Sequence, residues 1–183
     1  MTKTKKITLS AILVAMATVL AMISKIIPAP WLQGGSVTIA SMVPIILVSI
    51  IIDCRWGVLA AIVYSLIQML TGFYPPPTQT FFNFFLVIFL DYIAAFGFLG
   101  FAGAVYRATG CKKWSAPLAG ITVTAARYVS HILSGILIWG VYAEEGQSVL
   151  AYSLIYNGTY MIPEIIITAI VLTALTPIFK KIK

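Results

Sequence analysis

A carboxylate, a guanidinium and an imidazole stand inside apolar runs of this chain. Asp91 is the fifth residue of VIFLDYIAAFGFLG (87–100), and Arg127 and His131 lie in ARYVSHILSGILIWG (126–140). A charged side chain at the centre of a membrane-spanning helix costs roughly 2.5–3.5 kcal/mol on insertion scales, so such residues face a bundle interior or a water-filled cavity. Arg127 and His131 are four apart and share one helical face, which Ser134 and Gly135 continue, Gly135 leaving space there. Trp139 and Tyr142 close that segment, Tyr92 follows Asp91, and Tyr152, Tyr156 and Asn157 lie in the next connection. Trp31 and Gln33, and then Tyr74 before Pro75-Pro76-Pro77, occupy two further connections on the same side.

One carboxylate, one imidazole, an amide and several indole or phenol faces match a flat, heteroaromatic, cationic ligand. A cation over such a ring gains roughly 0.5–2 kcal/mol. Phosphorylated ligands are disfavoured, because these connections carry no Lys or Arg to meet a dianion. Plainer readings stand beside this one. Asp91 and Arg127 could form an ion pair that fixes two helices, His131 could be an interhelical hydrogen-bond donor, and the aromatics fit a membrane-boundary belt. The combination, rather than any single residue, points to a site.

The elements that carry these residues follow from composition. The chain has 183 residues, 61% hydrophobic and 9% charged, against about 25% charged in soluble domains. It reads as an all-α integral membrane protein. A bilayer core takes about 20 apolar residues as helix, which gives six spans, near 8–27, 36–52, 57–71, 81–105, 115–139 and 159–179, in a single membrane domain. Asp53-Cys54-Arg55-Trp56 separates the short second and third spans, which predicts a tight hairpin. Ten of the twelve basic residues fall on one side: Lys3, Lys5, Lys6, Arg55, Arg107, Lys112, Lys113, Lys180, Lys181 and Lys183. Cytoplasmic connections carry the excess of Lys and Arg, so both termini are expected in the cytoplasm of a cell membrane. The net charge of +7 reflects that topology, and nucleic acid is not an expected partner.

The first segment is longer than a signal core and lacks a small-x-small cleavage site, so it reads as a retained helix. Cys54 and Cys111 have no C-x-x-C pattern and read as free thiols. Neither a phosphate loop nor HExxH nor GxSxG is present, so an enzyme is not expected, no cofactor is implied, and ATP hydrolysis by this chain alone is excluded on motif grounds. Asn157-Gly158-Thr159 matches a glycosylation acceptor, read here as chance. Glu164, after Pro163, sits at the expected outer start of the sixth helix, either favouring its N-terminus electrostatically or adding a second acid to the pocket.

Three stretches together carry a resemblance: FLDYIAAFGFLGFAG (89–103), ARYVSHILSGILIWGVYA (126–143) and AYSLIYNG (151–158). In order and spacing they resemble the thiamin-specific substrate-binding S components of energy-coupling factor (ECF) transporters. The resemblance implies a vitamin site of Asp91, Tyr92, His131, Trp139, Tyr152 and Asn157. Asp91 would meet the thiazolium and aminopyrimidine, His131 and Asn157 would hydrogen-bond ring or tail atoms, Trp139 would stack, and Tyr92 and Tyr152 would form walls. Arg127 matches a basic residue that orients the acid, Gly135 lies on the same face, and Trp31 matches a lid aromatic. It also implies partners: a membrane T component and two ATP-binding-cassette ATPases, docked through small residues on the first helix. That helix has Ala11-x-x-x-Ala15 and Ala17-x-x-x-Ala21, spacings that let backbones approach closely. An S component for riboflavin, pyridoxine or hydroxymethylpyrimidine, and a small self-sufficient carrier, remain as alternatives.

Overall fold

The structure, a computed structural model, describes residues 1–26, 35 and 37–182, with side chains to residue 177. The described residues are helical throughout their regular elements: α1 (Lys3–Ser24), α2 (Met42–Ile51), α3 (Cys54–Gly72), α4 (Phe81–Ala108), α5 (Ser115–Leu137) and α6 (Val149–Ile182). A short 3-10 turn, Trp139–Tyr142, follows α5. Polar side chains set the helix starts by accepting from otherwise unpaired first-turn N–H groups. Thr2 accepts from Lys5 N, Asp53 from Trp56 N, Thr80 from Asn83 N, and Ser148 from Ala151 N.

Four helices are long and apolar enough to cross a membrane: Lys3–Ser24, Cys54–Gly72, Phe81–Ala108 and Val149–Pro177. This is a membrane protein. Helix α5 matches them in length but not in apolarity, because it carries Arg127 and His131. Helix α2 has only ten residues, buried nearly throughout, which an all-round apolar sequence permits inside a bundle. The hairpin expected between α2 and α3 is present, with Asp53 capping α3 and bonded to Lys6 at 3.2 Å. The Trp56 N–H, and after it Lys6, holds the Asp53 carboxyl below the usual carboxylate range.

The sixth helix departs from expectation. It starts at Val149 rather than at 159 and runs through Pro163. Proline removes one backbone donor and ordinarily breaks a helix, but neighbouring helices let bundles in lipid tolerate it. Ser148, whose hydroxyl accepts from Ala151 N, marks the start. As a result Ser153, Asn157, Tyr160, Glu164 and Thr168 form one buried stripe at helical spacing. Glu164 therefore lies in mid-helix, not at a helix start. Asn157 is buried as well, so the glycosylation match is indeed a chance one.

Helix α4 is irregular twice. Its turns widen to π-helix over Ile88–Ala94 and tighten to 3-10 over Phe98–Phe101. Ser130 Oγ donates to the Leu90 carbonyl at 2.7 Å in the wide stretch. In the tight stretch Ser49 Oγ donates to the Gly100 carbonyl, and just beyond it the same oxygen accepts from Gly103 N. Side chains from α5 and α2 thus take over backbone groups that the distorted ladder frees. The close approach needs glycine: a Cβ on Gly103 would lie 2.1 Å from the Ser49 carbonyl oxygen, and one on Gly100 2.5 Å from Val58 Cα.

Candidate functional site

The wide stretch of α4, the second half of α5 and the first half of α6 enclose a cavity of about 180 Å³. Its lining includes Asp91, Tyr92, Arg127, His131, Gly135, Trp139, Tyr152 and Asn157, so eight of the nine expected binding residues meet around one void. The ninth, Trp31, lies outside the described residues. Tyr74, from the proline-stiffened connection, also lines it.

Asp91 sits on the π-helical turn, a distortion found often at functional sites. Its Oδ2 accepts from Ser134 Oγ at 2.6 Å and Trp139 Nε1 at 3.2 Å, while Oδ1 lies 3.0 Å from His131 Nδ1. Arg127 Nε donates to His131 Nε2 at 3.2 Å. A guanidinium has no acceptor atom, so Nε2 must carry the lone pair and Nδ1 the proton. His131 is therefore neutral and donates to Asp91. Arg127 stacks on Phe96, its guanidinium carbon 4.0 Å from the ring centroid. Among the described residues the one Lys or Arg in ion-pair contact with a carboxylate is Lys6, on Asp53, and neutral His131 reaches Asp91 as a hydrogen-bond donor. The Asp91–Arg127 pair is thus not formed, and the carboxylate faces the cavity with neutral donors only.

Asn157 works as a strut. Its Nδ2 donates to the carbonyls of His131, at 3.2 Å, and Ser153, at 2.9 Å, while Oδ1 accepts from Tyr160. Gly135 allows this closeness, since a Cβ there would lie 2.0 Å from Ser153 Oγ. Trp139 has Tyr74 tilted against one side at 5.5 Å and Tyr142 stacked at 6.3 Å. Tyr152 stacks on Tyr156 at 5.7 Å, and the Tyr92 hydroxyl joins Gly72 O and Tyr74 N, each at 3.2 Å. The lining also holds Lys25, Gln68, Phe96 and Tyr160, which residue-type reasoning missed. Tyr160 follows Asn157 by three residues and becomes visible once α6 starts at Val149. Lys25 reads from sequence as a residue at a helix end; its Nζ donates to Thr71 O at 2.9 Å.

Of the four alanines proposed for docking, Ala11 and Ala15 line an apolar groove of about 630 Å³ between α1 and α3. Ala17 and Ala21 are buried inside the bundle. No group of three or more His, Cys, Asp or Glu among the described residues could hold a metal ion.

Comparison with known proteins gives the chain's family and fold. The chain is 38% identical over 158 residues, 78% of its length and 76% of the relative's, to "Thiamine transporter ThiT" of Bacillus subtilis (strain 168). It is 34% identical over 95 residues, 47% of each chain, to the protein of that name from Lacticaseibacillus paracasei. The solved structure of ThiT from Listeria monocytogenes superposes with a TM-score of 0.74 at 24% identity, covering 98% of this chain and 97% of that one, and so shares its fold. The family model described as "Thiamine transporter protein" matches residues 7–183. The chain belongs to the thiamine transporter protein family, a family of transporters and not of enzymes.

Proposed function

We propose that this chain is the thiamin-capturing S component of an ECF-type vitamin importer. It binds thiamin from outside the cell in the Asp91 cavity, and a T component with two ATP-binding-cassette ATPases drives delivery inward. The observation that carries the reading is the state of Asp91: a carboxylate facing a void, hydrogen-bonded by Ser134, Trp139 and neutral His131, with no Lys or Arg ion pair. A buried charge without a counter-ion is costly, and a cationic thiazolium arriving in the cavity supplies one. The aromatic walls of Trp139, Tyr74 and Tyr152 offer flat faces to the rings.

In this reading all six helices cross or fill the bilayer of a bacterial cell membrane, with both termini cytoplasmic, as the distribution of basic residues favours. The T component docks on the Ala11–Ala15 side of α1, while Ala17 and Ala21 pack α1 inside its own bundle. Tryptophan fluorescence of the purified protein tests the ligand: thiamin quenches it at low concentration, and riboflavin, pyridoxine and hydroxymethylpyrimidine do not compete. Liposomes test the energetics, because the chain alone should bind without accumulating vitamin. Accumulation without any ATPase would make it a self-sufficient carrier.

A further inference from the structure

Glu164 is only 1% exposed, yet it does not line the cavity. Its Oε1 accepts from both the backbone N–H and the hydroxyl of Thr38, and among the described residues Oε2 has no hydrogen-bond partner. Those bonds explain one oxygen and leave the charge unexplained. The register of α5 against α6 brings Arg127 to the level of Glu164, beyond direct ion-pair contact. Gly135 packs on Ser153 and Asn157, the His131 ring meets the Tyr160 ring at 5.9 Å, and Gly120 packs on Thr168 and Leu172. These are antiparallel contacts, so stepping one turn from His131 to Arg127 corresponds to stepping one turn from Tyr160 to Glu164.

We propose that Glu164 is the counter-charge of Arg127, and that by balancing the guanidinium from the α6 side it leaves Asp91 available to a cationic ligand. The inference rests on the thiamin-binding reading and names a specificity-determining residue outside the cavity wall. With Arg127 balanced by Glu164, Asp91 supplies the local negative charge that a cation meets. Without Glu164, the same guanidinium competes with the ligand for Asp91. The plain structural alternative is that Glu164 only ties Thr38 to α6.

The variant E164Q separates the two, because glutamine keeps a carbonyl oxygen for both Thr38 donors and removes only the charge. Calorimetry is run with thiamin and with an uncharged isostere in which carbon replaces the thiazolium nitrogen. Counter-charge action predicts roughly tenfold or greater weakening for thiamin, with little change for the isostere. The double variant R127Q/E164Q should then return the ratio of the two affinities toward the wild-type value. Equal affinities of E164Q and wild type for thiamin, or equal loss for both ligands, would overturn the inference while leaving the functional reading intact. If E164Q does not fold, recovery of folding in the double variant supports the pairing and failure to recover overturns it. Wild-type protein that binds no thiamin overturns the functional reading and this inference with it.

Discussion

Two stretches of α4 a few residues apart solve opposite problems. Over Ile88–Ala94 the helix widens, and none of its residues is fully buried. Over Phe98–Phe101 it tightens, and Leu99 and Gly100 are buried against α2 and α3. The wide turn presents to a void a carboxylate that is itself held by neutral donors, Ser134, Trp139 and His131. The tight turn presents bare backbone, on which Ser49 and Gly57 pack without space for a methyl group. Both replace ladder hydrogen bonds with a serine from a neighbour, Ser130 in one case and Ser49 in the other. The difference is what the neighbour leaves behind, a cavity or solid contact. Rigidity below the site and openness at the site are thus properties of one helix.

Breaking the solid half should cost most. In G103A the new Cβ falls on the Ser49 carbonyl oxygen, and overpacking of that kind costs about 3 kcal/mol. Thermal unfolding in detergent should show the loss, while the folded fraction keeps its ligand affinity. Sharpening the open half needs a gentler change. In S134A the 2.6 Å bond to Asp91 and the acceptor for Trp139 both disappear. Because hydrogen bonds to charged groups contribute roughly 1.5–3 kcal/mol, thiamin affinity should fall about tenfold, with a much smaller change in unfolding temperature.

The smallest effect is expected at Asp53, far from either stretch. Its folded-state carboxyl titrates below its unfolded value, so its contribution is present above about pH 4 and is lost as the pH falls through the depressed value. The group is partly exposed, and solvent screening keeps the ion pair weak. Since asparagine also caps helices well, D53N should lower stability by under about 0.5 kcal/mol near neutral pH. It should also flatten the acid limb of a stability-against-pH curve. No effect on thiamin affinity is expected.

Much of this was legible in the residues. Low charge and long apolar runs give the helical membrane class, and the four-residue spacing of Arg127 and His131 places both on the cavity side of α5. Asp91 was legible as an acid in the wrong solvent. Its π-turn was not, because nothing in VIFLDYIAA distinguishes a wide turn from an ordinary one; the distortion depends on Ser130 reaching across from α5. The start of α6 at Val149 is not legible, because polar Tyr156 and Asn157 read as a connection, whereas their packing on α5 makes Asn157 an interior residue. With α6 starting at Val149, Tyr160 falls on the buried stripe and Glu164 in mid-helix rather than at a helix end. Lys25 escaped because its partner, the Thr71 carbonyl, belongs to backbone 46 residues away.

A calorimetric titration of D91N with thiamin tests the central claim most directly, since the amide keeps the size and one acceptor oxygen but removes the charge. The account predicts affinity about a hundredfold weaker than wild type, in the range for losing one partner of a buried charge pair, with the unfolding temperature of the free protein unchanged or raised. D91N that holds thiamin as tightly as the wild-type chain would contradict it.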